Sequence, residues 1–222
     1  MNGKGNLESY LSYGINQNSM EINYITDPWE CVEIEDFLPE DRWEKIQELA
    51  KIELDNYNSS MTRQRRGHYV NYLHEDIIPE TNSLFTDISL PHREYQGKLK
   101  KLVHWTISKP DWYYPPHCDN RSRISTSILY VSPDNSDGTI LHKNISENDK
   151  GDHEKANLPS TYTCELSWKP NKVFFHNSIP NKTWHSIQNT TNTPRIVLCS
   201  FLVQEDLVLP NRPYSGYEIS IN

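Results

Sequence analysis

The hydrophobic pattern of the chain changes character near its midpoint. From about residue 101 onward, short runs rich in Val, Ile, Thr and aromatic residues recur between turn signals, the pattern of an antiparallel sandwich or barrel. These runs predict strands at 101–107, 124–131, 139–142, 161–168, 172–176, 183–188 and 195–203. Two of them reveal which way they face. In 161–168, Tyr162, Cys164, Leu166 and Trp168 alternate with Thr161, Thr163, Glu165 and Ser167, as expected of a strand with one wet face. The run 196–203 is apolar almost throughout and predicts a strand covered on both sides. In the first half, 32–37 alternates like a short strand, and Leu38-Pro39-Glu40-Asp41 reads as a helix start with acidic residues in its first turn. Trp43, Ile46, Leu49 and Ala50 then form the apolar stripe of a helix over 41–54, a natural cover for the sheet. Residues 56–96 read as loops and short elements, and the polar stretch 143–160 as an excursion at one barrel mouth.

Length and composition narrow this picture. At 222 residues, one hydrophobic core is expected, so residues 1–222 are read as a single domain with its core at about 100–203 and helical and lid segments in 1–99. The hydrophobic fraction is only 35%, yet the 13 Tyr, 6 Trp and 5 Phe argue for a folded core rather than disorder. A net charge of -8 disfavours binding to nucleic acid through the overall field. Cys31, Cys118, Cys164 and Cys199 form no C-x-x-C pair, which indicates neither a zinc ribbon nor a disulfide framework and suits a reducing compartment. The first eight residues lack the apolar core of a signal peptide and no stretch reaches membrane-spanning length, so a cytoplasmic protein without membrane association is expected.

Candidate chemistry centres on His117-Cys118-Asp119. In extended chain, residues two apart point to the same side, so one imidazole and one carboxylate can reach a single metal ion. The pattern is weak alone, since His74-Glu75-Asp76 repeats it. The two copies differ in context: a strand follows His117-Cys118-Asp119 directly, whereas His74 precedes the irregular Ile77-Ile78-Pro79 and reads as a polar turn. His185 is the best third ligand, lying in a strand-like run ten residues before Arg195. Arg195 shares its alternation parity with Val197, Cys199, Phe201 and Val203 and should face a buried side, where a guanidinium requires an anion. No such partner is evident nearby in the sequence, which points to a ligand carboxylate. His68, His92, His104, His153 and His176 read as surface or structural histidines. Asp152-His153-Glu154 reads as exposed charge, because adjacent residues rarely make a compact metal site.

The order His117-x-Asp119, then His185, then Arg195 resembles the Fe(II)/2-oxoglutarate oxygenases, particularly their prolyl-hydroxylase-like branch. The resemblance covers roughly residues 100–203 and includes the aromatic approach Trp112-Tyr113-Tyr114-Pro115-Pro116. It implies a mainly β fold, a double-stranded β-helix (jelly-roll) core with flanking N-terminal helices packed on one sheet. It further implies Fe(II) held by His117, Asp119 and His185, which leaves open positions for a chelating 2-oxo acid and dioxygen. Arg195 and Tyr130 would hold the far carboxylate of 2-oxoglutarate, with Thr126, of the same parity as Tyr130, beside them. The implied reaction is hydroxylation of an unactivated C–H, with succinate and CO2 as co-products and ascorbate as an auxiliary reductant. A peptidyl or free amino-acid side chain is the preferred substrate class, peptide and small molecule both remaining open. Two departures stand out: Ser136-Asp137-Gly138-Thr139 where the family has paired glycines, and Ile107 where some members place a tyrosine on the metal-proximal end of the co-substrate. The contrasting reading is a catalytically silent, cupin-like jelly-roll binding module. The basic run Arg63-Gln64-Arg65-Arg66, with Tyr69 and Tyr72, is either a flap that attracts acidic substrates or a solvated loop.

Overall fold

A computed structural model describes residues 21–59, 68–92, 94–95, 97–143, 162–205 and 217–218. The basic run at 63–66, the stretch 144–160 and the Asp152-His153-Glu154 triplet lie outside the described residues. Twelve strands and two helices are described: β1 (Ile22–Ile25), β2 (Cys31–Ile34), α1 (Glu40–Ser59), β3 (His68–Tyr72), α2 (Asn82–Asp87), β4 (Leu99–Ser108), β5 (Trp112–His117), β6 (Arg123–Ser132), β7 (Thr139–Lys143), β8 (Tyr162–Glu165), β9 (Val173–Asn177), β10 (Trp184–Asn189), β11 (Arg195–Gln204) and β12 (Tyr217–Glu218). Among the described residues, no helix is long and apolar enough to cross a membrane.

The strands form two antiparallel sheets. The larger runs β1-β2-β9-β6-β11-β4-β12 with β3 also paired to β4, and the smaller runs β5-β10-β7-β8. Strands β4 to β11 therefore divide between the sheets as β4, β6, β9 and β11 against β5, β7, β8 and β10, the order of a jelly roll.

Alternation along the central strands sorts their side chains into two cores. Ile196 and Leu198 of β11, with Leu129 and Val131 of β6 and Val103, Trp105 and Ile107 of β4, pack outward against α1. Val197, Cys199, Phe201 and Val203 of β11 turn inward between the sheets with Ile128, Tyr130 and Leu141. This explains the nearly continuous apolar run of β11, which is covered on both faces.

Helix α1 continues past the predicted end at residue 54, and its buried stripe is Trp43, Ile46, Ala50, Glu53 and Tyr57 at helical spacing. Glu53 enters the stripe because Tyr69 Oη and Asn71 Nδ2 on β3 donate to its carboxylate at 3.2 and 2.9 Å. These bonds tie the helix to the edge of the larger sheet. The Asn171 side chain fastens the approach to α1, accepting from Leu38 N at 2.9 Å and donating to Leu38 O at 2.8 Å.

Candidate metal and co-substrate site

His117 closes β5 and faces His185 on β10 in direct register. The register slips between His185 and Ile187, so that β5 carries an extra residue where Pro115 and Pro116 stand. Prolines lack the N–H that a ladder position would need, and a bulge turns the end of the strand. Asp119 lies just beyond β5 in the turn that leads to β6. One ligand atom each from His117, Asp119 and His185 lie within 4.8 Å of one another, and all three residues are buried.

Hydrogen bonds fix how these groups present themselves. His117 Nδ1 lies 3.0 Å from Pro115 O, and His185 Nδ1 lies 3.1 Å from Thr183 O. A carbonyl only accepts, so each Nδ1 carries the proton and leaves the Nε2 lone pair for a metal. Burial, reinforced by His185, holds His117 well below the ordinary imidazole range, which keeps it in the ligating neutral form. Asp119 Oδ2 accepts from Thr126 Oγ1 at 2.7 Å and from Ser178 Oγ at 3.0 Å, and Arg123 Nη1 donates to Oδ1. Burial alone would raise the Asp119 pKa. The adjacent Arg123 guanidinium, with His185, His176 and the Thr126 hydroxyl, instead holds it well below the usual carboxylate range. The site thus offers two imidazole Nε2 atoms and an ionised carboxylate, a donor set suited to a first-row divalent ion with open positions.

The ligands line a cavity of about 330 Å³ whose floor includes Thr106, Ile128, Val197 and Arg195. Arg195 has no exposed surface, and its Nη1 and Nη2 have no hydrogen-bond partner. Its Nε donates to Asp137 O at 3.3 Å, and its Cζ lies 4.8 Å from the Trp168 ring centre and 5.5 Å from that of Tyr130. Burial pushes its pKa down. A guanidinium taken out of water without its terminal donors satisfied costs several kcal/mol by order of magnitude. A carboxylate in the cavity would meet that need with two parallel bonds. A second cavity, of about 240 Å³, is bounded by Phe85, Leu90 and Asn177 and holds none of these ligands.

The structure therefore brings His117, Asp119, His185, Thr126 and Arg195 to one cavity. Thr126 reaches Asp119 directly, which places it in support of the carboxylate. Tyr130 is fully buried beside Arg195, but its hydroxyl donates to Thr139 Oγ1 at 2.9 Å and accepts from Thr139 N at 3.2 Å. With its proton committed to Thr139, Tyr130 shapes the wall beside the guanidinium. Ile107 lies in the outer core, and the β4 residues that face the cavity are Thr106 and His104. The second His-x-Asp copy has a structural use: Asp76 Oδ2 accepts from the fully buried Lys101 ammonium at 2.8 Å.

Several site residues escape a reading by strict alternation. Arg123 would point outward by parity with Thr126, but a register shift on β6 opposite Leu202 and Val203 lets both face the site. Ser178 lies outside any strand, and only the folded chain brings it to Asp119. His104 reads as an ordinary structural histidine, yet it lines the cavity, with burial pushing its pKa down to about 3.

No protein-family model matches the sequence, and no curated protein matches it either. Solved structures do match its fold. The epimerase SnoN, in complex with Fe3+, alpha ketoglutarate and nogalamycin RO, superposes with a TM-score of 0.54 at 11% identity, covering 86% of this chain and 91% of that one. A prolyl hydroxylase from Trichoplax adhaerens, in complex with a hypoxia inducible factor peptide fragment, gives a TM-score of 0.52 at 14% identity, covering 78% and 83% of the two chains. The alpha ketoglutarate dependent carbocyclase SnoK from nogalamycin biosynthesis gives 0.51 at 13% identity, with coverage of 78% and 79%. At such identities the likeness concerns the fold: this chain has the jelly-roll fold found in the iron- and 2-oxoglutarate-dependent oxygenases.

Proposed function

We propose that this protein is an Fe(II)- and 2-oxoglutarate-dependent dioxygenase that hydroxylates an unactivated C–H of a peptidyl or free amino-acid side chain. The observation that carries this reading is the buried Arg195 guanidinium, whose Nη1 and Nη2 have no hydrogen-bond partner and which has no anion beside it among the described residues, in the same cavity as a His-Asp-His triad. A triad alone fits any divalent metal. A triad beside a buried cation that lacks an anion fits a metal whose co-substrate bears a carboxylate remote from the chelating end.

Each residue then has a task. His117, Asp119 and His185 would hold the metal, and Thr126, Ser178 and Arg123 fix the Asp119 carboxylate. Arg195 takes the far carboxylate of 2-oxoglutarate, with Trp168 and Tyr130 packed around its guanidinium and Asp137 O on its Nε. Ile128 and Val197 exclude water from the intervening space, which strengthens charge pairing there. Fe(II) with 2-oxoglutarate and dioxygen supplies the oxidising chemistry, with succinate and CO2 as co-products. The four cysteines are free thiols, which suits the reducing cytoplasm proposed as its location.

A catalytically silent sugar- or acid-binding module is the competing reading. The intact His117, Asp119 and His185 set in the same cavity as the desolvated Arg195 weighs against it, because a module that only binds a sugar or an acid has no use for both. The test is succinate formation from 2-oxoglutarate by purified protein with Fe(II), ascorbate and air. Succinate that depends on both iron and 2-oxoglutarate is expected, even if slow without the primary substrate. Its absence across a screen of amino acids, peptides and small carboxylic acids would contradict the proposal.

A further inference from the structure

The β4 wall of the cavity carries a hydrogen-bond acceptor that the proposed chemistry does not use. His104 is buried, lines the cavity and is held between two rings, T-shaped to Tyr72 and stacked on Phe201, with ring centres 4.9 Å apart in each case. Its hydrogen bonds among the described residues are both made by Nδ1, which lies 3.3 Å from Trp105 O and 3.1 Å from Thr106 Oγ1. A carbonyl only accepts, so Nδ1 carries the proton. Burial, reinforced by the Arg123 guanidinium, pushes the pKa down to about 3 and keeps the ring neutral. Nε2 is therefore a bare lone pair. With the Nδ1 edge set against its own strand, Nε2 stands on the edge of the ring that turns to the cavity.

Register sets this acceptor at the metal end of the cavity. His104 pairs with Cys199 on β11, and Phe201, two residues further on, pairs with Thr126, which donates to Asp119. Only about 7 Å of strand thus separates the level of His104 from that of the Asp119 support. Arg195 lies four residues back from Cys199, about 13 Å away along the same strand. The far carboxylate of 2-oxoglutarate and the His104 lone pair therefore belong to different stretches of the cavity. A buried acceptor held in one orientation by two rings is costly to leave unpaired, and a donor that meets it is recognised strongly. Tyr72 and Phe201 beside it offer aromatic surface to an apolar body.

We infer, on the footing of the proposed function, that His104 determines substrate specificity: the substrate carries a neutral N–H or O–H donor near the C–H to be oxidised, and this donor bonds to His104 Nε2. The adjoining hydrocarbon then lies against Tyr72 and Phe201. An ammonium donor fits less well, because the Arg123 guanidinium acts on the same place. A purely hydrocarbon group is rejected, since it would bury the lone pair without a partner. One polar anchor and one apolar wall suffice to orient a small group beside the metal.

The test uses the protein with Fe(II) and 2-oxoglutarate under anaerobic conditions, following the visible charge-transfer band of the iron chelate during titration with N-acetyl amino-acid methylamides. The tightest binder is then compared with analogues methylated at each N–H and O–H in turn. One of these methylations should weaken binding about 10-fold more in the wild type than in His104→Phe, which keeps the ring stack without the acceptor, so that the steric cost of the methyl group cancels. Its position identifies the donor as an amide or a hydroxyl. The same comparison in His104→Leu guards against misfit of the phenyl ring. His104→Gln, whose carboxamide oxygen also accepts, should restore part of the difference, which a merely structural histidine would not do. Methylation costs that are equal in the wild type and His104→Phe at every position, or a band indifferent to every probe, would overturn the inference and leave the proposed function standing. Failure of the band to form in the wild type would overturn both.

Discussion

At the scale of single residues, two His-x-Asp copies in one chain show how the same short pattern serves different physics. Asp119 sits on a cavity with a hydroxyl pair on one oxygen and a guanidinium on the other, while Asp76 neutralises a fully buried lysine. Their alanine variants should therefore fail in different ways. Asp119→Ala should abolish stoichiometric Fe(II) or Mn(II) binding, read by calorimetry, and leave a folded protein. Asp76→Ala should leave metal stoichiometry intact, yet cost about 3–5 kcal/mol in urea unfolding, because the buried Lys101 would lose its anion. Equal metal binding by Asp119→Ala and wild type would remove Asp119 from the ligand set.

At the scale of elements, the sequence makes the jelly-roll strands visible because their alternation is strong: the predicted run 195–203 corresponds to β11 at Arg195–Gln204, and 124–131 to β6 at Arg123–Ser132. β5 hides because Pro115 and Pro116 disguise its end, and β3 because it is a short edge strand with mixed polarity. The inward facing of Arg123 hides for a related reason, since a bulge breaks the period on which parity rests. Arg195 is legible, as its parity runs unbroken with Val197, Cys199 and Phe201. The Ser136-Asp137-Gly138-Thr139 turn shows what its single glycine does. A Cβ on Gly138 would stand 1.6 Å from Leu166 O, while Thr139 O accepts from Leu166 N at 2.9 Å. The two segments approach too closely for any side chain there. Gly138→Ala should destabilise the fold by roughly 1–3 kcal/mol or more through overpacking. It should also weaken 2-oxoglutarate binding, because Thr139 anchors Tyr130 beside Arg195. A variant with wild-type stability and affinity would show that this turn yields freely.

At the scale of the whole molecule, buried neutral histidines should govern the acid limb of stability. Burial pushes His104 down to about 3, and His142 and His176 to about 4. In the unfolded chain all three return to roughly 6.5. Between those values the unfolded chain binds more protons than the folded one, so stability rises with pH. The contribution is complete above about pH 6.5 and is lost as the pH falls toward 4, by on the order of 1 kcal/mol per pH unit for each imidazole. Urea midpoints of metal-free protein should therefore decline from about pH 6.5 downward, and a flat profile to about pH 5 would contradict the assigned protonation. The central claim, that a metal triad and a buried arginine together form a 2-oxoglutarate site, is tested most directly by anaerobic calorimetry of Mn(II)-loaded protein with 2-oxoglutarate. Saturable binding at one site per chain is expected, weakened about 100-fold or more by Arg195→Met, which strips the far carboxylate of its charged partner. No heat of binding in the metal-loaded wild type, or an affinity unchanged in Arg195→Met, would contradict the account.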